Sequence, residues 1–506
     1  MLIYNRLMKL IPTPQKWQEL NGEFILSAQT RFKGPEIITT LLNEDYPKYL
    51  LFQPIIVSEK ADIEFRIDSE LGINEYQISM SDSQVIIKGD KDLSLLHGYQ
   101  SFFQILLSHY NYQNGIANIP CVNITDQPKL EWRGMHLDSS RHMQSIAWIK
   151  KFIDILALHR FNRFHWHLTD DQGWRIEIDS FPKLNTIAAN RHKTRISHQL
   201  NDHVTYDTQS YGGYYAKEEI RSVVAHAKKR GIEVVPEVDM PGHMQAAITA
   251  YPEWGCQVEP AIVKEDWGIS EIILNPCPEV IAAMKIILDE VMELFPFEYI
   301  HLGGDEALKT QWEKHEGIQR QMAELGIEDV EELQGWFMTE VSKHLNGKGR
   351  KLVAWDEILD GKAPDDCLIM SWQSDKGAAK ALSLELPTII NDQRFFYFDH
   401  YQGSPDNDPL AFGGFTSCQA LYNHDPFLPL GDKQDKILGI QGQIWTEYMR
   451  NEQTVERMAF PRVIAFAEKA WHGKAPLTWD DFKVLLKNHF FVLDRIGVNY
   501  YHGSLE

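Results

Sequence analysis

Apolar and polar positions alternate along Ile63–Ile67, Glu75–Met80 and Gln84–Lys88, a period of two that predicts three short strands. Ser81-Asp82-Ser83 turns the chain between the last two. Leu95, Leu96, Tyr99, Phe102, Phe103 and Leu106 then recur at helical spacing across Leu93–Ser108. Strands with a helix laid on one face predict a small α+β domain. The polar, proline-closed stretch Asn123–Pro128 ends it, so the domains are set at residues 1–128 and 129–506.

Beyond Trp132 the texture becomes strand, helix, strand, helix. Eight segments read as candidate strands: Arg133–Asp138, Arg163–Leu168, Ile232–Val238, Tyr299–Gly303, Lys351–Trp355, Leu368–Trp372, Thr388–Asn391 and Leu438–Trp445. Helical periodicity falls over Ile146–His159, Ala216–Arg230, Glu279–Leu294, Val330–Asn346, Lys376–Leu384 and Val455–Ala470. This is the pattern of a (β/α)8 barrel. An open doubly wound sheet fits less well, because no Gly-rich phosphate fingerprint follows the first strand. The seventh unit is the weakest, and the Gly-, Pro-, Asn- and Asp-rich loop Tyr401–Pro429 after it reads as functional rather than as packing.

Composition narrows the partners. The net charge of −21 argues against nucleic acid and anionic membrane surfaces, both of which need a basic footprint. The five cysteines follow no zinc or redox spacing and read as free thiols; Cys256 and Cys277 flank one loop region and would pair only in an exported protein. Charge is scattered through Met1–Lys9, so no secretory signal is expected there, and the expected location is the cytoplasm.

In a barrel, residues at the carboxyl ends of the strands share one cup. Those ends carry Asp138; Asp170; Glu237, Asp239 and His243; Asp305 and Glu306; Trp355; Trp372; Tyr397 and Asp399; Trp445 and Glu447. Arg133 is assigned to the same cup, with Asp170 as a partner. Aromatic faces stack on the apolar face of a pyranose and carboxylates accept from its hydroxyls, so this mixture points to sugar. Gly303-Gly304 lets the backbone turn sharply just before two adjacent carboxylates. An Asp239–His243 pair near Glu306 would tune its protonation. His165 and His167 share a strand face, as in some metal-dependent barrel hydrolases, but apart from His243 no further histidine or lysine stands at the strand ends; no metal and no cofactor are expected.

Arg133-Gly134, Asp138, Arg141-His142, His165 through Arg175, Pro236 through His243 and His301 through Glu306 together resemble the β-N-acetylhexosaminidases of glycoside hydrolase family 20. Trp355, Ser371-Trp372, Tyr397-Phe398-Asp399 and Trp445-Thr446-Glu447 extend the resemblance over the whole chain, with Phe398 where the family more often has leucine. The resemblance implies a retaining, exo-acting enzyme working by substrate assistance, in which the 2-acetamido carbonyl attacks the anomeric carbon. It implies Glu306 as acid and base, its proton held by burial and by Asp305, and an ionised Asp305 on the acetamido N–H. Tyr397 would meet the acetamido oxygen, and Trp355, Trp372 and Trp445 would wall its pocket. Arg133, Asp399 and Glu447 would bind hydroxyls, and Asp170, Asp239 and His243 would support the cup. Release of a disaccharide, a catalytically silent sugar binder and a metal-dependent hydrolase are the alternatives.

Overall fold

A computed structural model describes residues 10–256, 261–406, 408–431 and 434–506. Met1–Lys9, where no secretory signal is expected, lie outside the described residues. Eight parallel strands close into a barrel: β1 (Trp132–Asp138), β2 (Arg163–His167), β3 (Glu233–Glu237), β4 (Tyr299–His301), β5 (Lys351–Trp355), β6 (Leu368–Ser371), β7 (Thr388–Ile390) and β8 (Ile437–Gly442). Each pairs with its sequence neighbour, and β8 returns to β1 with Ile440 opposite Arg133. The register sets His167 level with Asp138 on one side and Glu237 on the other, and Glu237 level with His301. Lower in the barrel, Trp132, Val235, Val353, Leu368 and Ile389 pack an apolar plug.

The expected helices form between the strands, several with side-chain caps, as Ser145 provides for Ile146–Leu158 and Asp329 for Val330–Gly347. The helix expected over Val455–Ala470 is instead two, Glu452–Ala459 and Arg462–His472. Pro461 lies between them; it has no N–H to donate and its ring would clash with the preceding turn. The loop Tyr401–Pro429 has structure of its own: Gly413–Phe415 pairs with His400–Tyr401, and Cys418–Asn423 is helical.

The first domain is one mixed sheet carrying the helices Glu36–Tyr49 and Asp92–His109. The three expected strands sit at its centre, and Lys16–Leu26 and Ile116–Asp126 extend it on one side. The seam between this sheet and the barrel is polar and buried. Asp126 accepts from Tyr76 at 2.8 Å, from the Arg160 guanidinium at 2.8 Å and from the Trp471 indole at 3.0 Å. Arg230 forks onto Asp45 at 2.9 and 3.0 Å. No described helix is long and apolar enough to cross a membrane.

Candidate active site

The turn after β4 aims the two central carboxylates. Gly303 and Gly304 have φ of +65° and +96°, and a Cβ on Gly303 would lie 1.6 Å from the Asp239 carboxylate. Only glycine fits that approach. Asp239 then accepts from the Gly304 N–H at 3.1 Å, which pins the turn. The next residues leave in opposite states of cover: the Asp305 side chain is 12% exposed, that of Glu306 34%. His243 Nε2 stands 3.6 Å from both carboxylates. Glu306 and His243 both hold left-handed backbone, at φ +46° and +53°.

Behind His243 runs a chain of charge. Its Nδ1 meets Asp170 Oδ1 at 3.1 Å, and Asp170 Oδ2 receives His167 Nε2 at 2.9 Å and the Arg141 guanidinium at 2.7 Å. Burial opposes charge on His243, but Asp170 outweighs it and holds the imidazole's proton well above the usual histidine range. Asp170 is held well below the carboxylate range; burial works against this, and Arg141 and His243 overcome it. Burial and the neighbouring Asp239 push Asp305 well above its ordinary value, with His243 pulling the other way.

Four aromatic rings line the adjoining wall. Trp372 stacks with Tyr397 at 6.1 Å between ring centres, Tyr397 lies 6.4 Å from Trp445, and Trp445 lies 6.3 Å from Trp355. Two of the indoles are tied to carboxylates: Trp355 donates to Glu237 at 2.9 Å and Trp372 to Glu357 at 2.8 Å. At the far side Asp399 and Glu447 each keep one buried oxygen that no group among the described residues meets. Burial, helped by Glu447, pushes Asp399 up to about 8. Burial also raises Glu447 to about 7, against Arg141. The Arg141 guanidinium lies over Trp445 at 5.2 Å.

Asp170, Asp239, His243, Asp305, Glu306, Trp355, Trp372, Tyr397, Asp399, Trp445 and Glu447 therefore converge as expected. Arg133 does not. It is the second residue of β1, at the opposite end of the barrel, where it donates to the carbonyls of Arg160 at 2.9 Å and Leu130 at 2.7 Å and lies over Trp471. The arginine in the cup is Arg141, beyond the carboxyl end of β1, and it is this residue that pairs with Asp170. Two smaller expectations change as well. His243 takes Asp170 rather than Asp239 as its carboxylate partner, and burial falls on Asp305 rather than on Glu306. Cys256 and Cys277 are free thiols.

Fold and cup together define a (β/α)8 barrel with an acid pair on one side of its mouth and an aromatic box on the other. The sequence profile of the glycosyl hydrolase family 20 catalytic domain matches residues 130–474, and that of the family's domain 2 matches residues 7–127. The chain belongs to glycosyl hydrolase family 20. A β-hexosaminidase of Porphyromonas gingivalis is 35% identical over 98% of this chain, which spans 65% of that relative's length. The exo β-N-acetylglucosaminidase of Vibrio harveyi, solved with N-acetylglucosamine, superposes with a TM-score of 0.86 at 30% identity, covering 97% of this chain and 78% of that one. A β-N-acetylhexosaminidase from Bacteroides fragilis gives 0.85 at 27% identity, covering 99% of this chain and all (100%) of the other.

Proposed function

We propose that this chain is a retaining, exo-acting β-N-acetylhexosaminidase that releases terminal β-linked GlcNAc or GalNAc through an oxazolinium intermediate. One observation carries the reading: Asp305 and Glu306 are neighbours on one histidine nitrogen, 3.6 Å from each, beside a wall of four aromatic rings. Adjacent residues on one turn, both beside His243, stand on the same side of a ligand in the cup, not on the opposite faces of a glycosidic bond that an acid and a protein nucleophile occupy. The attacking oxygen then comes from the ligand's own acetamido group, with the proximity advantage of an intramolecular reaction.

In this reading Glu306 protonates the departing oxygen and later takes a proton from water. Asp305 receives the acetamido N–H. The positive charge that develops as the ring closes, together with His243, favours its anionic form against burial. Tyr397 holds the acetamido oxygen, and Trp355, Trp372 and Trp445 confine the methyl. Asp399 and Glu447 offer their unmet oxygens to hydroxyls, and Arg141 takes the place first assigned to Arg133.

Kinetics on aryl N-acetylglucosaminides and on chitobiose test it. Glu306→Gln is expected to lose about 10²–10⁴-fold on chitobiose, the range for a general acid, and much less on an aryl group that leaves without help. Asp305→Asn is expected to lose about 10²–10³-fold even on the aryl substrate, because a carboxamide neither orients the N–H by charge nor balances the cation. Equal turnover of an aryl glucoside lacking the acetamido group would overturn the reading. Exhaustive chelation should leave the wild-type rate unchanged, since no step calls on a Lewis acid.

A further inference from the structure

Beneath the cup lies a carboxylate that touches none of the groups given a role in the reaction except the indole of Trp355. Glu237, fully buried, accepts from the Trp355 indole N–H through Oε1 at 2.9 Å, with His301 Nδ1 at 2.8 Å from the same oxygen. Its Oε2 meets His167 Nδ1 in a very short contact and lies 3.1 Å from His165 Nε2. The register explains the convergence, because His167, Glu237 and His301 stand level on three successive strands. His167 faces a second carboxylate through its other nitrogen, Asp170, which in turn holds His243.

We propose that Glu237 is a positioning residue for this reaction: one oxygen fixes the Trp355 wall of the N-acetyl pocket, and the other fixes the histidine that underpins Asp170 and His243. The inference rests on the N-acetylhexosaminidase reading above. The wall and the proton-handling chain are thereby set by a single group. Substrate fit and acid strength then move together when that group changes.

The chemistry of the layer supports this. His167 lies between two carboxylates and can satisfy both only as a doubly protonated imidazolium. Burial works against that charge, and Glu237 and Asp170 overcome it, so the ring holds its proton well above the usual range. His165 is the contrary case: burial lowers it to about 4, and its Nδ1 faces the Gln441 amide at 3.0 Å. The other ionisable groups around Glu237 are His301 on β4, Asp305 in the turn after it, Asp239 beyond β3 and, next to His165 and His167, His136 on β1. A glutamine in place of Glu237 has the same volume but one acceptor oxygen. Because the indole meets Oε1 and the imidazolium Oε2, the amide would turn an N–H towards one of these two donors.

The test compares wild type, Glu237→Gln, Trp355→Phe, His167→Gln and the Trp355→Phe/His167→Gln double variant on an aryl N-acetylglucosaminide and its N-propionyl homologue. Folded Glu237→Gln is expected to lose at least about fivefold of the preference for N-acetyl over N-propionyl, the scale on which a pocket reads one methylene. Its kcat/KM against pH should also move by at least about half a unit. A role confined to stability would lower the melting temperature and leave both quantities in place, which would overturn the proposal. Where Glu237→Gln does not fold, the double variant decides. Trp355 and His167 both hold Glu237, so the combined loss in kcat/KM should fall short of the product of the single losses by at least about threefold; simple multiplication would overturn the proposal. Absence of N-acetylglucosaminide turnover in the wild type would remove the functional reading itself, a result separate from either failure.

Discussion

Asp399 and Glu447 hold protons to about 8 and about 7 because the cup buries them side by side. An unfolded aspartate releases its proton near ~4. Between roughly pH 4 and 8, then, the folded protein binds protons that the unfolded chain has lost, and stability falls as pH rises. The fall amounts to ~1.4 kcal/mol per pH unit for each carboxyl that only the folded state keeps protonated. Asp399→Asn removes one such group, so it should flatten the decline in melting temperature from pH 5 to 8 (approximate bounds, set by the same titration) and leave the variant more stable at the upper end. Urea unfolding across that range checks the sign. Most of these side chains were legible in the sequence, since a residue after a strand's carboxyl end has one cup to enter. Arg133 shows where that logic needs position along the strand as well as membership of it. As the second residue of β1 it cannot reach the rim that Arg141, three residues past Asp138, reaches directly. Glu237 carried no signal of its role, because a strand-end carboxylate does not announce which donors three neighbouring strands bring to it.

Among elements, the turn that ends β4 is the most tightly specified. Gly303→Ala would place a methyl on the Asp239 carboxylate and a Cβ on left-handed backbone. A loss of at least ~2 kcal/mol is expected, with activity falling further than stability because Asp305 and Glu306 leave their places. Denaturant melts beside kcat on the folded fraction would separate the two effects. Several barrel strands, such as Lys351–Trp355 and Leu368–Ser371, were visible in the sequence because both their faces are buried, which writes them as near-continuous apolar runs. Lys16–Leu26 was not, for the opposite reason. It is an edge strand exposed over most of its length, so neither face imposes an alternation. The helix broken at Pro461 was misread because its apolar periodicity carries across the break, while the proline that causes it was given too little weight.

Across the whole molecule, the first domain is joined to the barrel's amino-terminal end through charge. Arg160 and Asp126, both fully buried, pair across the seam, and Arg133 belongs to the same seam through His97. Asp126→Ala takes the carboxylate from a buried guanidinium and from four further donors, the Tyr76 hydroxyl, the Trp471 indole and the backbone N–H groups of Gln15 and Gln127, and is expected to cost about 3–5 kcal/mol. The loss should appear as one cooperative transition of both domains, measured by calorimetry, with kcat of the still-folded fraction unchanged. Seam pairs of this kind join residues 34 positions apart (Arg160 to Asp126) and, for Trp471 to Asp126, 345 apart, a distance over which no local pattern reports.

The left-handed backbone at His243 and Glu306 bears on how such a protein ages in the absence of use. A non-glycine residue in that region costs ~1–3 kcal/mol, and here two of them face each other across the reacting centre. Glu306→Gly should therefore melt no lower than the native chain while losing most of its turnover on chitobiose. Loss of selection on turnover would then have a downhill direction, since relieving the strain at either position leads towards a sturdier protein.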